Sequence, residues 1–253
     1  MNVRTIAATA FSAAMLSTLA ANAHAAEIRV LGSNAAKAVL EVLAPQFEKA
    51  TGNKVVLVYG TSAGLKDEIE KGAAFDVAVL TTGGIDDLTK KGKVAAGTQH
   101  GLARSGAGVA IKRGAAKPDI GTTEAFKRAL LNAKSIGFVD ATPTGNYLKG
   151  LFVRLGLADA LKPKIKLVDS KVGAGGAAAA GEVEIGLTQI SEILSKPGAE
   201  LVGPLPEDIQ VYTDFASGVG ALAKEAATAA ALIKFMSTPE AAKVIKEKGM
   251  VPK

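Results

Sequence analysis

Short apolar runs alternate with amphipathic helical segments along most of this chain, and this alternation constrains its fold more than any other feature. Residues 28–31 predict a first strand, and the segment that follows places apolar residues on one helical face until Gly52 ends it. Further strands are predicted at residues 55–58, 77–80, 135–138 and 184–187. Strands that alternate with helices indicate an α/β fold in which a mostly parallel sheet is flanked by helices.

One strand-to-helix turn has the composition of an anion-binding site. Thr61 and Ser62 begin a turn of small residues between the apolar run 55–58 and a helix-compatible stretch. The first N–H groups of a helix lack intrahelical partners and carry partial positive charge, so small residues there let an anion approach. Similar turns occur at Ser33 and Asn34 and at Thr144 and Gly145. Helix capping alone is the alternative interpretation of each turn.

The first 25 residues are typical of a secretory signal peptide. Arg4 supplies a positive start, residues 6–19 are apolar, and Ala23-His24-Ala25 matches an A-x-A cleavage site. Later segments do not reach the apolar length of a membrane span. We therefore expect a protein that is exported to the periplasm and has no stable membrane insertion.

The composition excludes several classes of chemistry. The chain contains no cysteine and only two histidines, of which His24 lies in the predicted leader and His100 in a predicted loop. A cysteine- or histidine-based metal site and a Ser-His-Asp triad are therefore not expected, and we predict neither metal nor cofactor. Aromatic residues make up 4% of the chain, which argues against nucleic-acid stacking. A net charge of +6 favours capture of small anions.

The strand and helix pattern restarts near residue 105 and predicts two lobes joined by tight crossovers. We assign residues 1–25 to the signal peptide, residues 26–104 plus 213–253 to the first lobe, and residues 105–212 to the second. A cleft between two such lobes is the natural place for a small ligand.

Several motifs resemble those of the molybdate-binding family of periplasmic solute-binding proteins, the receptors of ABC importers. Their order along most of the chain carries the resemblance more than any one of them does. They are the Thr-Ser-Ala-Gly turn at 61–64, the segment 72–77, the Pro-Thr-Gly-Asn-Tyr segment at 143–147, the Gly-Leu-Thr-Gln segment at 186–189, and the segment 237–242. The resemblance implies a two-lobed α/β fold that holds an anion between the lobes.

The resemblance also implies a set of ligand contacts. Ser62 stands at a position of a ligand serine, while the other ligand serine aligns with Ala35, just after Ser33 and Asn34. The predicted binding set therefore also includes residues matched by position or proximity, namely Thr61, Thr144, Gly145, Tyr147, Lys171 and Gln189, of which Gln189 replaces a binding tyrosine.

Two cationic residues favour an organic acid over molybdate as the ligand. Lys171 falls near a backbone contact of the family, and Arg104 lies at the first crossover, where we expect it to face the cleft. Cationic side chains form strong charge-assisted hydrogen bonds, and arginine can bind a carboxylate with two parallel bonds. We therefore expect a ligand with two or three carboxylates.

Three functions remain open at this point. The first is a monomeric binding protein that closes on its solute and is recognised by an ABC-transporter permease. The second is an enzyme, because some exported proteins that resemble this family are aconitate isomerases; Lys171 and Asp140 would then be catalytic, with Glu184 a weaker candidate. The third is a receptor domain without a transport role.

Overall fold

The computed structural model describes residues 25–253, so the predicted leader lies outside the described residues apart from Ala25. The chain first builds β1 (Glu27–Ser33), α1 (Lys37–Thr51), β2 (Lys54–Gly60), α2 (Ser62–Glu70), β3 (Val77–Thr81) and α3 (Thr82–Lys90). The long strand β4 (His100–Lys112) then leads into a second group of elements.

The second group begins with α4 (Thr123–Asn132), β5 (Ile136–Phe138), α5 (Pro143–Arg154), α6 (Ala158–Leu161) and β6 (Ile165–Leu167). It continues with α7 (Gly173–Ala180), β7 (Ile185–Gln189), α8 (Ile190–Leu194) and β8 (Ala199–Pro204). The chain returns to the first group through β9 (Tyr212–Val219), α9 (Ala226–Met236), α10 (Pro239–Glu247) and β10 (Val251–Pro252).

The strands form a mixed sheet in the order β2-β1-β3-β9-β4-β7-β5-β6. At one end β2, β1 and β3 are parallel, with Val30 opposite both Leu57 and Val77. At the other end β7, β5 and β6 are parallel. Strands β9 and β4 pair antiparallel between these two ends, so the predicted α/β class is confirmed with antiparallel strands added at its centre.

Strand β4 belongs to both ends of the sheet. It pairs with β9 as far as Gly106, and from Ala107 onward it pairs with β7, where Ala107 lies opposite Gln189. The chain passes back between the two ends just before Tyr212, the first residue of β9. These two neighbouring passages are the predicted crossovers, and they bring the carboxyl ends of β1, β2, β5 and β7 toward one interface.

The hydrophobic core is divided in the same way as the sheet. Phe47 and Phe215 lie in clusters built from residues before 104 and after 214. Phe126 and Phe138 lie in a cluster built from residues 107–209, and a small alanine-rich cluster adjoins it. None of these four clusters of described residues combines side chains from both parts. This separation supports a division into two lobes. We propose that residues 26–104 plus 213–253 form the first lobe and residues 105–212 the second.

Candidate functional site

A cleft lies between the two parts of the fold. Its volume is about 660 Å³, open solvent at its mouth included, and a recess of about 340 Å³ adjoins it. Both spaces are lined by Asn34, Thr61, Thr142, Gln189 and Glu192. The first two of these come from the first part of the chain and the other three from the second, so a ligand here would touch both parts.

Two well-capped helices begin at the cleft. Thr61 caps α2, and its Oγ1 accepts a hydrogen bond from the Gly64 N–H at 3.0 Å. Thr142 caps α5 in the same way, accepting from the Gly145 N–H at 3.0 Å. A third helix, α7, brings Gly173 to the lining. The first turns of these helices supply backbone N–H groups and positive dipole ends to one space, which favours an anion.

Ser62 lies in the recess rather than serving as the helix cap, because Thr61 holds that position. The Ser62 Oγ accepts a hydrogen bond from the Thr81 N–H at 3.1 Å. An oxygen that accepts from a fixed amide still has its own proton to donate. Ser62 can therefore donate toward a ligand from an anchored position, which agrees with the predicted binding role but does not test it.

The predicted pair Ser33 and Asn34 also reaches the cleft. Ser33 is buried at the end of β1, lines the recess, and makes no side-chain capping hydrogen bond. The Asn34 Nδ2 donates to the Ser170 carbonyl oxygen at 3.2 Å. This bond joins the first part of the chain to the second at the cleft.

Thr144 and Gly145 differ in their position at the start of α5. Thr144 is buried and lines the cleft. Gly145 does not line it, and a Cβ at this residue would overlap the Val139 carbonyl oxygen. Gly145 is therefore required where the backbone of α5 packs closely on the chain just after β5.

Arg104 and Tyr147 lie away from the cleft lining. The Arg104 side chain is exposed and its guanidinium carbon lies 4.7 Å from the centre of the Tyr212 ring. This corrects the expectation that Arg104 faces the cleft. The Tyr147 hydroxyl donates to the Ile209 carbonyl oxygen at 2.7 Å, and its ring packs against the second part's core. Neither residue lines the cleft or its recess.

Three lysines bring positive charge to the cleft, namely Lys37, Lys171 and Lys196. The Lys37 Nζ lies 5.3 Å from the centre of the Tyr59 ring and 3.6 Å from a carboxylate oxygen of Glu41. Lys171 is exposed and lines the cleft, where its contact with a ligand stays a prediction. Since Lys37 comes from the first part and the other two from the second, an anion would draw the two parts together.

The cleft also holds a carboxyl group that sequence reasoning did not identify. Glu192 is half-buried on α8, and its Oε2 accepts a hydrogen bond from the Thr188 hydroxyl. Burial raises the pKa of the Glu192 carboxyl, although the Thr188 hydroxyl and Lys196 act in the opposite direction. A carboxyl that retains its proton repels an anion less than an ionised one and can donate a hydrogen bond.

We expect Glu192→Gln to stabilise the protein relative to the wild type increasingly as pH rises above the ordinary carboxyl pKa of 4.5. The native carboxyl keeps its proton to higher pH than the unfolded one, so wild-type stability falls across that window. The difference in unfolding free energy between Glu192→Gln and the wild type grows by about 1.4 kcal/mol per pH unit. This holds where the Glu192 carboxyl is protonated in the native state and ionised in the unfolded state. Urea unfolding at pH 4.5 and pH 8 measures it.

Glu200→Gln is the matched control for the Glu192→Gln variant. The Lys117 ammonium and the Gly114 amide hold the pKa of the Glu200 carboxyl below its ordinary value. The control is therefore expected to show the opposite pH trend. A Glu192→Gln stability difference that does not change between the two pH values would contradict a raised pKa at Glu192.

The structure does not bring the predicted catalytic residues into one site. Lys171 lines the cleft, but Asp140 is exposed and forms an ion pair with Lys149. The Lys149 hydrogen bond and the Ala141 amide hold the pKa of the Asp140 carboxyl below its usual range. Glu184 lies outside the cleft and accepts a hydrogen bond from the Lys134 N–H at 2.8 Å. Among the described residues, Glu192 is a carboxyl that lines the same cleft as Lys171.

Several cleft residues escaped sequence reasoning for different reasons. The position of Thr142 at a helix start could have been predicted, because a threonine directly before proline is a typical helix cap. Glu192 lies on the short helix α8 and Lys196 follows that helix, and no sequence pattern predicts α8, so the sequence does not reveal the position of either residue. The sequence does not distinguish Lys37 from the solvated lysines, because its position at the cleft depends on where α1 packs.

Two negative findings apply to the part of the chain that the structure describes. Residues 25–253 contain no group of three or more histidine or acidic side chains arranged to hold a metal ion. Among the helices of this region, none has the length and apolar character needed to cross a membrane.

The fold and the cleft define a class of protein, and comparison with known proteins identifies the family. A family model described as bacterial extracellular solute-binding protein matches residues 28–251. This match covers most of the sequence, so the chain belongs to that family of solute-binding proteins.

Individual relatives refine this assignment. The chain is 30% identical over 231 residues to an aconitate isomerase from a Pseudomonas species, covering 89% of this chain and 87% of the relative. It is 28% identical over 251 residues to a molybdate-binding protein from Azotobacter vinelandii, covering 91% and 92% of the two chains. The solved Azotobacter vinelandii periplasmic molybdate-binding protein superposes with a TM-score of 0.76 at 23% identity, covering 88% of this chain and 98% of that one. The predicted resemblance to molybdate-binding proteins is thereby confirmed.

Proposed function

We propose that this protein is a periplasmic receptor that binds a small organic carboxylate in its cleft and presents it to the membrane permease of an ABC importer. The receptor would be exported by its N-terminal signal peptide and would act as a monomer. Its two lobes would close on the ligand by movement at the passages between Gly106 and Ala107 and just before Tyr212. Family membership supports the receptor role, while the ligand class is inferred from the cleft.

The observation that carries the proposal is the convergence of helix starts and lysines on one cleft. The capped N-termini of α2 and α5 supply amides and hydroxyls, and Lys37, Lys171 and Lys196 supply three positive charges. Carboxylates combine well with both kinds of donor, through charge-assisted hydrogen bonds. Two or three carboxylates on one molecule could engage both parts of the fold at once.

The lysines of the cleft support an organic ligand over a tetrahedral oxoanion. Molybdate or sulfate would be held without need of lysines that lie on both sides of the cleft. Two relatives are nevertheless molybdate-binding proteins, so any binding test must include molybdate.

A thermal-shift panel tests this proposal. The purified protein would be heated with molybdate, tungstate, sulfate, phosphate, succinate, malate, citrate and trans-aconitate. A ligand at one hundred times its Kd stabilises the folded state by about 2.7 kcal/mol. Each kcal/mol shifts the melting temperature of a protein of this size by roughly 2–4 °C. A response to carboxylates supports the proposal, and a response to molybdate alone contradicts it.

A second candidate function is isomerisation of a tricarboxylate. Two observations favour it, namely the aconitate isomerase relative and the presence of Glu192 beside Lys171 in the cleft. Such a reaction breaks one C–H bond and forms another within the same molecule, so it consumes no co-reactant. A carboxyl whose pKa is raised by burial accepts a proton more readily than an ordinary carboxyl, which suits proton transfer.

Proton NMR separates the two functions on the same sample. Trans-aconitate incubated with the protein in D₂O would give cis-aconitate, with deuterium incorporated at carbon, if the protein is an isomerase. Unchanged trans-aconitate alongside a clear thermal shift would establish binding without turnover.

A further inference from the structure

The side-chain amide of Gln189 lacks a hydrogen-bond partner on its buried oxygen. Gln189 ends β7, lines both the cleft and its recess, and is only 6% exposed. Its Oε1 is buried and has no hydrogen-bond partner among residues 25–253. A buried acceptor left unpaired destabilises the folded state, and such groups in native structures call for an explanation.

Several donors of the cleft are already committed to other acceptors. The Thr188 hydroxyl donates to Glu192, and the Ser195 hydroxyl donates to the Glu192 carbonyl oxygen at 2.7 Å. The Thr142 hydroxyl donates to the Val139 carbonyl oxygen at 3.0 Å, and one N–H of the Asn34 amide donates to Ser170. A donor for Gln189 is therefore more readily supplied by the ligand than by these side chains.

The charge of the cleft limits what kind of donor the ligand can carry. An ammonium group would meet Lys37, Lys171 and Lys196 and be repelled by them. A fully ionised oxoanion such as sulfate offers only acceptors. A hydroxyl group is neutral and donates one hydrogen bond, so it suits Gln189 while carboxylates on the same molecule face the lysines.

We propose that the ligand is a hydroxycarboxylate whose hydroxyl group donates a hydrogen bond to the Oε1 of Gln189. This inference rests on the proposed function, because it assumes that the cleft binds a carboxylate. It makes Gln189 a specificity-determining residue that distinguishes hydroxy acids from acids of the same skeleton without the hydroxyl. A site built around such a hydrogen bond rejects the analogue that leaves its acceptor unpaired.

Calorimetric titration with matched ligand pairs tests the inference. The pairs are malate with succinate and citrate with tricarballylate, each pair differing by one hydroxyl group. The wild type is expected to bind the hydroxy acid of at least one pair at least about tenfold more tightly than its partner. In Gln189→Met, which removes the acceptor at similar volume, the two members of that pair are expected to bind equally. Gln99→Met, at an exposed residue, should retain the preference.

The outcomes separate this inference from the proposed function. Equal binding of both members of each pair by the wild type overturns the role of Gln189 but leaves carboxylate binding intact. A preference that survives in Gln189→Met also overturns it, because the hydroxyl would then be recognised elsewhere. Failure of all four acids to bind overturns the proposed function and this inference with it. Gln189→Leu, which also removes the acceptor, replaces Gln189→Met if that variant does not fold.

Discussion

Gly145→Ala is expected to destabilise the protein by about 1–3 kcal/mol and to weaken carboxylate binding at least tenfold. The new Cβ would overlap the Val139 carbonyl oxygen and would lie 3.1 Å from the Thr142 Oγ1. Backbone cannot move aside as a flexible side chain can, so the start of α5 must shift. That shift moves Thr142 and Thr144, which line the cleft.

Gly150→Ala is the matched control on the same helix. Gly150 is exposed in the interior of α5, and a Cβ there would meet only the Arg154 guanidinium, at 3.5 Å. Alanine is favoured over glycine within a helix by about 0.5–1 kcal/mol, so this variant should be slightly more stable than the wild type and bind normally. Urea unfolding and calorimetry measure both variants. Equal behaviour of the two would contradict the close approach at Gly145.

Removing the charge of Lys171 is expected to lower the affinity for a di- or tricarboxylate about 10- to 100-fold. A hydrogen bond to a charged group contributes about 1.5–3 kcal/mol, and Lys171 lies at the cleft beside the start of α7. Lys171→Met keeps the length of the side chain and removes the charge. Calorimetric titration with citrate measures the change in Kd.

Lys90→Met provides the control for general charge effects. Lys90 ends α3 on an exposed surface outside the cleft lining, so its loss changes the net charge by the same amount. Citrate affinity should remain within about twofold of the wild type, since exposed charges beyond a Debye length of roughly 8 Å are largely screened. Equal losses in the two variants would indicate a general field rather than a contact from Lys171.

The regular elements were predictable because their signals are local. The apolar runs at 55–58 and 77–80 correctly predict strands, observed as β2 (Lys54–Gly60) and β3 (Val77–Thr81). The turn at Thr61 and Ser62 likewise locates the start of α2. Strand β9 (Tyr212–Val219) is harder to locate from the sequence. Its buried half has small residues such as Gly218, whose placement depends on pairing with β3 rather than on a periodic pattern.

The candidate site was predictable only in part, because local sequence places some of its residues and long-range packing places the others. Residues at strand ends and helix starts, such as Ser62 and Thr144, were found because the turn chemistry that places them is visible in the sequence. The direction of Arg104 depends on which face of β4 it occupies, and Glu192 depends on a short helix set by tertiary packing. Residue spacing and composition do not reveal positions that depend on such long-range packing.

Mapping the amide chemical shifts of the protein during a titration with citrate tests the central claim most directly. If the cleft binds carboxylates, the shifts will concentrate in the segments that line it, at residues 33–37, 61–63, 142–144, 170–175 and 188–196. The second part of the fold also carries a separate groove of about 910 Å³ beside Lys117 and Arg128. Shifts confined to that groove, or no shifts at saturating citrate, would contradict the account.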